Sequence, residues 1–218
     1  MSDKAAQGPR GLRERKKGRT RELIADTALR LFIERGFDEV SVAEIAETAE
    51  VDAKTVYNHF PTKPELVYQR LETFEDGLLS AIRERKPDES ILRAFTRFAL
   101  GMHGLLGDPA ASRQLKQVSR MISDSPVLLA HEQQVFARYT ASLAALIAEE
   151  TDSSVTDIQP WVVANTLMGF QRTLVAYVRR ETLAGTPNAE LVHNLRAQAK
   201  SAVATLEHGL GNYGVSRN

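Results

Sequence analysis

The sequence contains no cysteine, which removes disulfides, thiolate zinc sites, iron–sulfur ligation and cysteine nucleophiles, and fits a reducing compartment. It has no apolar run approaching the roughly 18 residues that span a bilayer. Its opening stretch, MSDKAAQGPRGLRERKK, lacks the apolar segment of a secretory signal, so a cytoplasmic location with no membrane partner is expected. Strict alternation of apolar and polar residues with β-branched enrichment is also missing, which leaves no evident strand. With 43% hydrophobic and 26% charged residues in 218, the chain is neither disordered nor collagen-like and is long enough for one large domain or two unequal ones.

Net charge is absent too, since 28 basic residues meet 28 acidic ones, but the distribution is uneven. Residues 1–21 carry eight basic side chains against Asp3 and Glu14, a net of +6. The remaining residues then total −6. A basic arm on a mildly acidic body suits a polyanion, and a solvated tail is the competing reading.

What is present is helical periodicity from Thr20 onward. Thr20 is expected to cap a first helix with Ile24, Ala28, Leu31 and Phe32 inward, stopped by Gly36. Ser41-x-x-Glu44 reads as a capping box for a second helix, and Asp52 as the cap of a third that Pro61 closes. Longer helices follow over about 64–85, 89–106, 110–122, 126–150 and 158–183, with Thr186 and Pro187 placed to open the last. The fold class is therefore all-α, about nine helices. It divides into a basic arm over 1–19, a three-helix head over 20–66, an antiparallel helical bundle over 67–210 and a tail over 211–218.

Ser41 to Phe60, SVAEIAETAEVDAKTVYNHF, has the anatomy of a helix-turn-helix, with its turn at Ala49-Glu50-Val51. Fixing Val56 and Phe60 on the core puts Lys54 and Asn58 almost opposite, with Thr55 and Tyr57 on the flanks. Lys can address guanine O6/N7 and Asn adenine N6/N7, while the hydroxyls suit phosphate oxygens. A polar face that meets only water is the alternative reading of those residues.

Residues 20–66 resemble the N-terminal DNA-binding domain of TetR-type transcriptional regulators. The resemblance is carried by Phe32…Gly36-Phe37, by Val42-Ala43-Glu44-Ile45-Ala46 and by Thr55-Val56-Tyr57-Asn58-His59-Phe60-x-x-Lys63. It implies that Thr55, Tyr57, His59 and Lys63 contact phosphates and that Ala53, Lys54 and Asn58 face bases. Arg19, Thr20 and Ser41 complete the expected DNA-contact set. Many relatives have glycine where this chain has Glu50; a left-handed Glu50 would cost roughly 1 kcal/mol.

The resemblance further implies a body that dimerises through its last two helices and holds a small-molecule pocket. Leu167 and Leu174 on one stripe, with Leu195 and Ala202 on the other, are the candidate dimer residues. Met102, His103, Met121, Phe136, Tyr139, Trp161, Asn165, Met168, Gln171 and Arg172 are the candidate ligand contacts, Arg172 hinting at an anionic group because an unpaired buried cation is costly. Gly209-x-Gly211-x-x-Gly214 has no preceding strand to make it a dinucleotide fingerprint, and Glu190-x-x-His193 lacks the second copy a di-iron site needs. No metal, cofactor or catalytic residue is expected. The reading is a homodimeric repressor released from a pseudo-palindromic duplex operator by a small-molecule effector. Its alternatives are an architectural DNA-binding protein without an effector and a helical-bundle enzyme with a DNA-binding head.

Overall fold

The structure, a computed structural model, describes the backbone of residues 9–102 and 109–210. The expectations placed on residues 1–8, on His103 and on the tail 211–218 lie outside the described residues. Among the described residues there are nine helices and no strand: α1 Pro9–Arg35, α2 Val42–Thr48, α3 Ala53–His59, α4 Glu65–Arg83, α5 Ile91–Met102, α6 Pro109–Asp124, α7 Pro126–Glu150, α8 Ile158–Ala184 and α9 Asn188–Leu210. The chain separates into two compact units, Met1–Arg70 and Leu71–Asn218, and the division falls inside α4.

In the smaller unit, α1 starts at Pro9 and not at Thr20. The missing N–H of a proline does no harm at the first helical position, and the Arg, Leu, Glu and Lys residues that follow are good helix formers. Thr20 is consequently inside the helix, where its hydroxyl donates back to the Lys16 carbonyl at 3.0 Å and caps nothing. Gly36, at φ 97°, ends α1 with its N–H on the Phe32 carbonyl at 2.9 Å.

The capping box of α2 is present in full. Glu44 N–H donates to Ser41 Oγ at 3.2 Å, and Ser41 N–H donates to Glu44 Oε2 at 2.8 Å. The turn after α2 is a Schellman motif: Val51 N–H reaches the Ala46 carbonyl at 2.9 Å and Glu50 N–H the Glu47 carbonyl at 3.1 Å. Closing it forces Glu50 into the left-handed region at φ 54°. Asp52 takes the extended geometry of a cap, but its side chain makes no cap hydrogen bond. The expected carboxylate cap on α3 is thus replaced by backbone bonds alone, Thr55 and Val56 N–H both donating to the Asp52 carbonyl. Ile24, Phe32, Ile45, Val56 and Phe60 are nearly inaccessible and form the core of this unit.

The larger unit is built on α8, which packs against α5, α6, α7 and α9. Arg179 near the end of α8 pairs with Glu132 near the start of α7, and Tyr177 accepts from Gln198 of α9, so α8 runs antiparallel to both neighbours. Phe74, Phe95, Tyr139, Leu143, Ile147, Leu167 and Met168 belong to one continuous core. Two Schellman turns close α7 and α8, one around Asp152 at φ 52° and one around Gly185 at φ 84°. Thr186 lies in the second of these and donates to Glu181 Oε2 at 2.9 Å, so α9 opens at Asn188 without the expected threonine cap.

Glu50 and Asp152 hold a backbone conformation that glycine adopts without a Cβ clash. Glu50→Gly and Asp152→Gly should each stabilise the protein by up to about 1 kcal/mol, less what glycine gains in unfolded freedom. The corresponding alanine variants should show no such gain. Chemical denaturation of the four variants checks this.

Candidate nucleic-acid interface

Seven residues are too few for a helix to persist by propensity, so tertiary contacts set the orientation of α3. Val56 and Phe60, each 1% exposed, fix its inner face. Its outer face then carries Ala53, Lys54, Tyr57 and Asn58, all exposed, with Tyr57 half uncovered at 52%. Thr55 and His59 lie at the margins, half-buried. A cation, an amide and a phenol therefore project from one rigid surface, and the buried pair opposite them prevents the helix from rolling.

A residue outside the expected set holds the far end of α3. The Arg21 guanidinium of α1 donates to the His59 carbonyl, and its central carbon lies 4.1 Å from the centroid of the Phe60 ring. Arg21 thereby supplies the C-terminal cation that a helix dipole favours, in a stacked geometry lysine does not reproduce. Its spacing one turn before Ile24 and Ala25, beside the buried stripe, is the sequence signal for a side chain lying along the core. Nothing in that spacing names α3 as the neighbour.

The other expected contacts are distributed unevenly. Arg19 is exposed. The Ser41 hydroxyl is engaged in the capping box, donating to Glu44 Oε2 at 2.8 Å. The Lys63 ammonium sits 4.4 Å from the Phe37 centroid and 5.7 Å from that of Phe32. Desolvation there lowers its pKa, while Asp38, Glu39 and Glu44 oppose the shift. His59 is also pulled below its ordinary value, by burial first and then by the charges of Arg21 and Lys17. Its Nδ1 is buried with no hydrogen-bond partner among the described residues. Glu44 is held at about pKa 2 by its Ser41 hydrogen bonds and by Arg35, whose guanidinium lies 2.9 Å away.

In the larger unit the candidate ligand contacts divide between the core, where Gln171 is also buried, and the surface. Phe136, Tyr139 and Met168 are core, at 8%, 1% and 1% exposure, Met121 is half-buried, and Met102 is exposed. Trp161 and Asn165 line an open groove at the start of α8 with Ile158, Val162 and Thr166. There the Trp161 indole N–H donates to the Val155 carbonyl at 2.9 Å. Arg172 is exposed to solvent, so it is not the buried cation that would have called for an anionic ligand beside it. The candidate dimer stripes lie mostly inside the chain. Leu167, Leu174 and Leu195 are buried within the single chain, because α8 uses that face against α7 and α9, and Ala202 alone of the four is exposed.

Two family profiles match the chain: the tetR family of bacterial regulatory proteins over residues 24–69, and the MftR C-terminal domain over residues 85–209, more than half of the sequence. The chain belongs to the TetR family. Among relatives of this TetR-family protein, the HTH-type transcriptional regulator TcmR of Streptomyces glaucescens is 32% identical over 65% of the chain, which spans 64% of TcmR's own length. The putative mycofactocin biosynthesis transcriptional regulator MftR of Mycobacterium tuberculosis is 26% identical over 71% of this chain and 77% of its own. The nucleoid occlusion factor SlmA of Salmonella dublin is 28% identical over 76% and 86%. A solved TetR-family regulator from Streptomyces coelicolor is 25% identical with a TM-score of 0.52, covering 92% of this chain and 99% of that one. The protein is thus a helix-turn-helix transcriptional regulator. Among the described residues no helix is long and apolar enough to cross a membrane.

His59 and Glu44 act in the same direction on acidification, in different windows. A depressed histidine keeps the folded state neutral, so the unfolded chain takes up the proton first and stability falls below pH 6.5. A depressed carboxylate contributes above its ordinary value of 4.5 and loses that contribution as pH falls toward about 2. Thermal melts from about pH 7.5 to about pH 5.5 should therefore show a declining midpoint that flattens in His59→Gln. Glu44→Gln should leave that window unchanged and flatten only the more acidic one.

Proposed function

We propose that this TetR-family regulator is a homodimeric repressor, holding a pseudo-palindromic duplex operator until a small molecule binds the Leu71–Asn218 unit. The observation that carries the reading is the outer face of α3, where Lys54 and Asn58 stand opposite the buried Val56 and Phe60. Lys54 suits guanine O6/N7 and Asn58 adenine N6/N7, while Thr55, Tyr57, His59 and Lys63 suit the flanking phosphates. The motif is acidic for a DNA-binding element, because Ser41–Lys63 holds Glu44, Glu47, Glu50 and Asp52 against Lys54 and Lys63. The cations of α1 supply the phosphate neutralisation in this reading.

The experiment is a selection of bound DNA sequences with variants of the recognition face. Asn58→Ala should relax the base preference at one position per half-site, with a loss of roughly 1–3 kcal/mol on the preferred site. Tyr57→Phe should weaken all sequences about equally. A uniform loss in Asn58→Ala with unchanged preference would reject the base-reading role.

Dimerisation is assigned to the exposed strip of α8, because the leucine stripes are already used inside the chain. Ile158 and Val162, 79% and 54% exposed, lie one turn apart on it. Val162→Glu should sediment as a folded monomer and lose operator affinity, since two half-sites are no longer linked. Leu195→Glu, at a position 2% exposed, should instead unfold the larger unit. A Val162→Glu variant that stays dimeric would move the interface elsewhere.

A second reading draws on the match to a protein named a nucleoid occlusion factor: an architectural DNA-binding protein without an effector. It requires nearly sequence-independent affinity, which competition against random duplex DNA distinguishes from operator recognition.

A further inference from the structure

Buried hydroxyls in the larger unit mostly have partners. Thr140 donates its hydroxyl to the Phe136 carbonyl at 2.8 Å, Ser125 accepts from Leu128 N–H at 3.3 Å, and Ser90 accepts from Arg93 N–H at 3.3 Å. Gln171 of α8 differs: it is 5% exposed, and its side-chain carbonyl Oε1 has no donor among the described residues. It does not sit at the rim of the packing. It lies one helical turn after Leu167 and Met168 and one turn before Leu174, in the middle of the apolar face that α8 turns to its neighbours. A buried acceptor without a donor loses its hydration with nothing in return, and natural cores rarely leave one so.

A second orphan is found beside the same helix contact. The Thr96 hydroxyl of α5 is buried without a partner among the described residues, although a helical threonine ordinarily donates to the carbonyl four residues back. Thr96 follows Phe95, and Gln171 follows Phe170. Those two rings meet edge-on with centroids 6.4 Å apart. Each unpartnered oxygen is thus one residue from one ring of a single α5–α8 contact.

We propose that Gln171 and Thr96 form the polar end of a binding site for a neutral, mainly apolar aromatic molecule carrying an N–H or O–H group. The molecule donates to Gln171 Oε1, with Thr96 as second polar partner and the Phe95 and Phe170 rings as walls. Met168, unbranched and one turn from Gln171, is the side chain that gives way to admit it. The Oε1 acceptor repels a carboxylate placed against it and selects a donor there, so a ligand seated on that atom is neutral rather than anionic. The proposal rests on the reading of the protein as ligand-responsive, for which it names the chemistry of the ligand.

The test uses full-length protein and three pairs of probes: phenol and anisole, indole and N-methylindole, 2-naphthol and 2-methoxynaphthalene. Each pair differs in the donor alone, and 2-naphthoate serves as the anion. Calorimetric titration should show at least one donor-bearing probe bound about tenfold more tightly than its methylated partner and than the anion. Gln171→Leu should bind the methylated probes as the wild type does and lose the preference. It should also melt no lower than wild type, since an unmatched acceptor has been removed from an apolar site. Thr96→Val should reduce the preference without abolishing it. No discrimination within any pair, no binding of any probe, or a preference that survives in Gln171→Leu overturns the proposal. Operator affinity of ligand-free Gln171→Leu, read separately, keeps the two readings apart. Donor-selective binding in a protein without operator specificity sinks the repressor and leaves the site, and operator specificity without donor selectivity does the reverse.

Discussion

A helix of seven residues cannot hold its own shape in water, and the face proposed to read DNA is presented on one. The burial of Val56 and Phe60 is therefore the constraint on which the interface depends. It sets the rotation of α3, and that rotation alone decides that Lys54 and Asn58 look outward. The Arg21 guanidinium, bonded to the last carbonyl of the helix and stacked on Phe60, fixes the other degree of freedom, the tilt of its C-terminal end. At the opposite end the Schellman turn sets where α3 begins, with Glu50 strained to make the backbone close. Three different interactions thus hold one short element, and none of them is among the groups offered to a nucleic acid base.

How much of this is legible in the sequence follows from the range of each interaction. The capping box of α2 and the helix stops at Gly36 and Gly185 are contacts within a few residues, so their spacing carries them. The outward set on α3 is legible for the same reason, being the complement of an inward pair on one helix. Arg21 is not, because its partner lies 38 residues away. Thr20 misleads about the start of α1, because a threonine before an apolar stripe signals a cap only if the preceding residues are not already helical. The leucines of α8 and α9 do not by themselves identify a dimer contact, because periodicity reports that a face is buried and is silent on which chain buries it.

The larger unit makes that last ambiguity physical. Helix α8 packs against α5, α6, α7 and α9, and its core-facing leucines are consumed in reaching them. It nevertheless leaves Ile158 and Val162 in solvent at one end and an unmatched amide at the centre of its apolar face. One helix therefore carries both an apolar surplus outside and a polar deficit inside. Neither feature helps the isolated chain fold, and the proposed dimer contact and the proposed ligand would each remove one of them.

The helical run from Pro9 through Arg21 has a consequence for the thermodynamics of association. A disordered basic strap gives up conformational entropy when it settles on a polyanion, typically about 1–2 kcal/mol for each backbone residue fixed. In α1 the backbone bearing Arg15, Lys16, Lys17 and Arg19 is already ordered, and Lys17 stands one turn before Arg21, the side chain that locks the recognition helix. The charges and the reading head are parts of a single rigid body, so ordering one orders the other. In the proposed DNA complex, counterion release then drives binding with little entropy of folding set against it, and the heat-capacity change of complex formation should report surface burial alone.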